Sequence, residues 1–534
     1  MLETKKPFAA GLVLALLATT GCYDFKTAFD ECVAAGQCRP EGCDPSKVDL
    51  PDDLFHDSNC DDFDGAADGG FFVDPSRGLD VGNPGTREAP FKTLRHALPV
   101  AADGGLVLFL ARGDYNEPGL ELNMPVSLYG GYGGVDGKWD RDVNHITRIN
   151  GGSIGLTVTR LDKDAGVTLE RLRINAIQGS EPGAPSIGLR VLDASVRLRH
   201  VEVTAAAGMP GRAGTPGSDL PPAADGGQPP NPVETPAETQ AAGGTPGLSA
   251  CGPNRGGTGG KGGTFSLPAT SGEGGIPSAD GGTPGASNTG ADLSCGDNPP
   301  CTYHGNPGDA GQEGFDGGNG MAGPAGNENG VLEGGTWRAS AGDAGRVGEP
   351  GGGGGGGGGG GVVSAGGVVV SKGGGGGGGG AGGCPGQGGN GGQGGGASIA
   401  VLVINGHVEL EGCSLVTAGG GKGGDGGRGG TGSTGGVGAP GGQTNSQTNA
   451  TYKVTVVGGV GGKGGNGGKG GNGGHGGNGA GGPSVGLWCE TGSSVTQKDT
   501  RVTRGPAGAP GEGPGLTNPK VLQEDVHNCS STSP

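Results

Sequence analysis

The chain has 534 residues, 137 of them glycine and 38 proline, with aromatics at 4% and hydrophobic residues at 31%. Too few apolar side chains are present to offset chain entropy along the whole length, which excludes an ordinary globular enzyme throughout; glycine does not recur at every third position throughout, which excludes a continuous collagen. The formal net charge of −18 argues against nucleic acid and anionic membrane surfaces as partners.

Lys5 and Lys6 precede an apolar run from Phe8 to Ala18 that ends in Thr19-Thr20-Gly21-Cys22. An apolar stretch of this length with a positive flank is too short to span a bilayer and reads as an export signal over 1–21. The small residues before the cysteine resemble the bacterial lipobox, whose cysteine is diacylated and becomes the new N-terminus. That resemblance makes Cys22 the lipidation site and gives the protein a membrane contact through its acyl chains, which hold more durably than one chain. Tyr23 rather than an aspartate follows, pointing to the outer membrane or cell surface. An ordinary signal peptide cut near Gly21 is the alternative.

Residues 22–68 read as a Cys- and Asp-rich tether. None of the 12 cysteines forms a C-x-x-C pair, and export to an oxidising compartment favours disulfides over zinc. Cys32, Cys38, Cys43 and Cys60 form one even group, and Cys251, Cys295, Cys301 and Cys384 a second, each allowing two bridges in three connectivities. Cys413, Cys489 and Cys529 are an odd group, so one thiol is left over. Asp57-x-Asn59-x-Asp61, with Asp68 eleven residues after Asp57, resembles a calcium loop, making these four the candidate ligands of a structural calcium. Asp62 stands where that loop needs glycine, and a solvated acidic spacer is the alternative. No other cofactor is expected.

Residues 69–204 change character. The run from Phe72 to Leu98, F-V-D-P-S-R-G-L-D-V-G-N-P-G-T-R-E-A-P-F-K-T-L-R-H-A-L, contains the turn signal Asn83-Pro84-Gly85. Phe91, Leu94, Ala97, Leu98 and Ala101 then fall on one helical face. This run, with Gly130-Gly131-Tyr132, Trp139-Asp140-Arg141 and Thr147-Arg148-Ile149, resembles a domain of unknown function that opens many bacterial right-handed β-helix proteins of the pectin-lyase-like class. The resemblance implies a fold, not a chemistry. The helix is expected to cover the open end of the first coil, whose edge groups are otherwise unpaired.

A repeat supports the coiled reading. S-I-G-L-R-V-L-D-A-S-V-R-L-R-H-V-E-V-T-A begins at Ser186, S-I-A-V-L-V-I-N-G-H-V-E-L-E-G-C-S-L-V-T-A at Ser398, S-V-G-L-W-C-E-T-G-S-S-V-T-Q at Ser484, and a looser copy at Ser153. Each holds two or three alternating strands, about one coil, and stacking would bury what no copy buries alone. The coils at 398–417 and 484–504 are separated from their predecessors by inserts at 205–397 and 418–483. Both leave at the same point of the repeat, so they are expected side by side; 505–534 reads as a Gly/Pro and polar tail.

The inserts hold about three quarters of the glycines. G-G-x triplets place Lys422, Asp425 and Arg428, and again Lys463, Asn466, Lys469, Asn472, His475 and Asn478, at every third position, and G-x-y triplets run from Gly305 to Gly326. Period three fits a polyproline II helix, and two bare faces per turn let neighbours approach closely. The pattern resembles the glycine-rich domains of mycobacterial PGRS proteins and glycine-rich ice-binding proteins; a disordered linker is the alternative. G-x-G-x-x-G occurs here by composition alone, so no nucleotide is expected.

The pectin-lyase-like fold hosts polygalacturonases and pectate lyases, but fold is only analogy. No N-T-D is present, the paired aspartates Asp52-Asp53 and Asp61-Asp62 precede the coils, and the only G-H-G, at Gly474-His475-Gly476, has His475 filling a third position. Arg190, Arg197 and Arg199 lack aspartates on matching faces, and His200 and His407 fall at coil turns. The expectation is an all-β chain, a right-handed parallel β-helix with long Gly-rich inserts of polyproline II or disordered type. Its expected role is non-catalytic: a lipid-anchored surface protein, structural, adhesive or matrix-interacting, that meets extracellular polysaccharide or other surface proteins. The alternative is a polysaccharide-binding or carbohydrate-active β-helix protein, lyase- or hydrolase-like.

Overall fold

Alternating apolar residues in short runs, punctuated by glycine and asparagine, give strands and tight corners rather than helices. The computed structural model describes residues 43–531 apart from 162–165, 231–237, 296–298, 328–329, 334 and 491, together with Thr27, Glu31 and Cys32. The signal segment, Cys22 and Cys38 lie outside the described residues. The described chain is nearly all β, with parallel pairing in its large sheets, and divides into two units.

The first unit comprises Met1–Tyr115, Met124–Arg148 and Val167–Leu172. Its sheet aligns Gly70–Val73, Val107–Ala111, Leu128–Tyr132 and Val167–Glu170, each parallel to the next. Helix α1, Leu94–Gly104, starts where the Thr93 hydroxyl accepts from His96 N–H and stops at Gly105, whose φ of 64° is left-handed. Burial pushes the Asp80 carboxyl up, but hydrogen bonds from Lys92 N, Thr93 N and the Thr93 hydroxyl outweigh it and hold the group below its usual range. Leu94, Ala97, Leu98 and Ala101 are buried, the apolar stripe the spacing predicts. The helix does not satisfy the first strand's edge. Segment 85–91 does so instead, with Phe72 N donating to Gly85 O, Asp74 N to Phe91 O and Phe91 N to Phe72 O. An α-helix spends its own backbone groups internally and has none to offer a strand.

The stretch expected to be a tether is packed where it is described. Phe63 is 2% exposed among Phe72, Phe109, Tyr132 and Trp139, stacked on Tyr132 at 4.9 Å between centroids. Asp49 and Asp64 are buried, and the Cys43–Cys60 disulfide closes the segment.

The second unit contains the repeat. Ser186, Ser398 and Ser484 are partners in one parallel sheet, as are Ile154, Ile187, Ile399 and Val485. After its strand in this sheet each later copy contributes one to a second sheet, through Ser195–Arg199, His407–Glu411 and Ser494–Lys498. A third sheet takes Glu202–Ala205, Ser414–Thr417 and Arg501–Arg504. The corners are single left-handed residues at matching positions: Asp193 and Asn405 at one, His200, Gly412 and Asp499 at the next.

Residues 505–531 are not a tail. Gln523–His527 and Ser530–Ser531 add strands to the first and second of these sheets, while Gly505, Gly508 and Gly511 donate N–H to Thr417, Gly482 and Gly479. Three extended segments thus leave the same point of successive repeat copies: Ala205 pairs with Thr417 and Thr417 with Arg504.

Beyond that point the two inserts form one hydrogen-bonded array with a period of three residues, that of polyproline II. Gly211, Gly214 and Gly217 donate to Lys422, Asp425 and Arg428; Gly311, Gly314 and Gly317 to Lys463, Asn466 and Lys469; Gly377, Gly380 and Gly383 to Gly462, Gly465 and Gly468. The number of glycines per triplet follows the number of covered faces. The all-glycine run 351–361 is buried throughout, the G-G-x segments expose mainly their third residue, and the G-x-y segment 305–326 lies at the edge with most x and y residues exposed. The contacts explain the rule: a Cβ on Gly357 would stand 2.0 Å from Gly462 O, and one on Gly465 1.9 Å from Gln312 O. At one end the turns fold into a small β cluster with a core of Val363, Val369, Val454 and Val456.

Candidate functional site

The carboxylates of the candidate calcium loop turn first to their own backbone. Asp57 accepts from Asp61 N and Asp62 N, Asn59 Oδ1 from Asp61 N, and Asp61 Oδ2 from Ala67 N. Asp57, Asn59 and Asp61 are thus brought together, while Asp68 is exposed and outside these bonds. Among the described residues no group of three or more His, Cys, Asp or Glu side chains is placed to hold a metal ion.

The cysteines pair within their groups: Cys43–Cys60, Cys251–Cys384, Cys295–Cys301 and Cys489–Cys529, and Cys32 is also disulfide-bonded. The free described thiol is Cys413, buried and pushed up in pKa by that burial; such a thiol is unreactive.

On the repeat strands, Arg197 and Arg199 stand in a ladder of exposed pairs. Arg197 meets Glu409, and Glu411 lies between Arg199 and Lys498; pairs of this exposure stabilise little. Arg190 is half-buried, its Nε without a partner, and burial lowers its pKa. His407 Nδ1 meets Ser494 Oγ at 2.8 Å, a contact between neighbouring parallel strands.

Two constellations were not legible beforehand. In the first unit Arg141 is fully buried between Asp64 at 2.9 Å and Glu170 at 2.8 Å. Burial raises Asp64 to about 6 against the opposing pull of Arg141. In the second unit Trp337, 2% exposed on the hairpin Val331–Glu333/Thr336–Arg338, packs with Ile187, Ile399, Leu402, Val485 and Trp488. The first insert is thereby clamped to the repeat strands that flank it.

A cleft of about 320 Å³ on the array lies among segments 319–322, 429–431 and 472–475. Its shape follows from the triplets. Third-position side chains of segment 458–482 lie beside the 418–442 segment and accept from its glycine N–H groups: Asn466 from Gly438, Asn472 from Gly432 at 3.0 Å, His475 Nδ1 from Gly429 at 3.1 Å, and Asn478 from Gly426. His475 therefore does more than fill a position, and its ring proton sits on Nε2. Across the cleft, Asn319 Oδ1 accepts from Asn472 N at 2.8 Å.

No protein-family model matches the chain, and neither the curated proteins nor the solved structures contain a match to it.

Proposed function

We propose that the protein is an exported, lipid-anchored surface protein whose coils form a right-handed parallel β-helix of the pectin-lyase-like class. Its role is non-catalytic: it carries a stiff glycine-rich array to the outer membrane or cell surface for structural, adhesive or matrix contact. The observation that carries this reading is the array itself, since glycine-rich segments of both inserts and residues 505–511 are tied to one another at third positions. A flexible spacer needs no such register. The cyclic use of three parallel sheets supports the β-helix, and the disulfides support an oxidising compartment. The ion-pair ladder on the coils favours a solvated face over a catalytic groove. Among the described residues no helix is long and apolar enough to cross a membrane, and in this reading the acylated Cys22 supplies the attachment. Cell fractionation of Cys22→Ala tests it: the variant is expected in the soluble fraction, and retention in the membrane fraction contradicts the anchor.

A further inference from the structure

Along the row of third-position side chains, donors are distributed unevenly. Asn466 Nδ2 donates to Glu313 Oε1, and Asn478 Nδ2 is taken up by Gly513 O, Gly515 O and Thr517 Oγ1. Between them, Asn472 and His475 have committed their acceptor atoms to Gly432 and Gly429, and Asn319 has committed its Oδ1 to Asn472 N. Among the described residues nothing accepts from the side-chain amide nitrogens of Asn319 and Asn472 or from Nε2 of His475. These donors belong to residues lining the same cleft, with Thr431 beside them. One carboxylate is tied to its lining: Asp219 accepts from Thr431 N at 2.5 Å.

We infer that this cleft is a saccharide site that takes a short stretch of a neutral, hydroxyl-bearing polysaccharide. A hydroxyl group both accepts and donates, so it matches fixed amide and imidazole donors with the Asp219 carboxylate alongside. A polyanion would meet Asp219 on a chain of net charge −18. The acceptor atoms are already bonded to backbone, so the donors are oriented before any ligand arrives, which lowers the cost of binding. Side chains one triplet apart stand about 9 Å apart along a polyproline II segment, so Asn472 and His475 address an extended chain rather than one atom of it. The site lies on the glycine-rich array and not on the coils.

This inference rests on the surface-protein reading, and its test separates the two. The full chain is titrated with dextran, laminarin and galactomannan, with polygalacturonate as the charged comparison. Asn472→Asp and Asn319→Asp are the variants of choice, because each keeps the oxygen that caps a backbone N–H and replaces the amide donor. The double variant should melt within a few degrees of the parent and bind the preferred neutral polysaccharide at least tenfold more weakly. Undiminished binding by the double variant overturns the site. So does binding of none of the three neutral polymers, or binding of polygalacturonate as tight as the best of them. Any of those outcomes leaves the Cys22 fractionation result untouched, whereas membrane retention of Cys22→Ala would leave a saccharide result standing.

Discussion

Arg141 carries two carboxylates in a place water does not reach, and such groups are costly unless each has its partner. Leucine at position 141 would remove the guanidinium that both Asp64 and Glu170 bond. The expected loss in the first unit is about 3–5 kcal/mol, measured by chemical denaturation with Phe63 or Trp139 environments as the probe. The pH dependence has a definite sign. Because folding raises Asp64 from 3.8 to about 6, the folded state holds that proton more tightly. The contribution is present in full below the ordinary value and is lost as pH rises through about 6. Relative to Asp64→Asn, the parent should therefore lose stability between about pH 4 and 6; a difference that stays flat across that range contradicts the assignment. In the array, the residue rule is steric. Gly465→Ala places a methyl 1.9 Å from Gln312 O and is expected to cost about 1–3 kcal/mol. Lys463→Ala, at an exposed third position, should stay within about 0.5 kcal/mol. Thermal melts of the two variants side by side check the contrast.

Among elements, the hairpin around Trp337 matters most, because it is the aromatic clamp between an insert and the repeat strands. Trp337→Ala should cost about 3–5 kcal/mol and open the 331–338 hairpin to proteolysis; an unchanged cleavage pattern would mean the hairpin does not hold the insert. The sequence makes some of these elements readable and hides others for physical reasons. Strands beginning at Ser186, Ser398 and Ser484 could be aligned because alternation and a shared opening leave one register. The α1 stripe was visible in its 3–4 spacing. Trp337 gave no such signal, since its hairpin is three residues a side within a glycine-rich insert. Arg141 was noticed only within a motif, and its partners lie 77 and 29 residues away in sequence, a separation no local pattern encodes. Segment 505–515 passed for a tail because three glycines at third positions are too few to mark a period. In the cleft, His475 looked like filler because its partner, Gly429, is supplied by another segment.

For the whole molecule, glycine content is a record of covered faces rather than of looseness. Where a segment is surrounded, as at 351–361, nearly every residue is glycine; where it borders solvent, one position in three is freed for chemistry; at the edge, two are. The array can therefore be stiff with few apolar side chains, its order coming from backbone hydrogen bonds and from the Cys251–Cys384 bridge, which closes a 133-residue separation. Amide hydrogen exchange across 351–361 and 373–383 tests this account most directly. Gly354, Gly357, Gly360, Gly377 and Gly380 each donate to a neighbouring segment, and their amides should exchange orders of magnitude more slowly than those of an unstructured glycine chain. Exchange at the unstructured rate throughout both inserts would show a flexible linker and contradict the account.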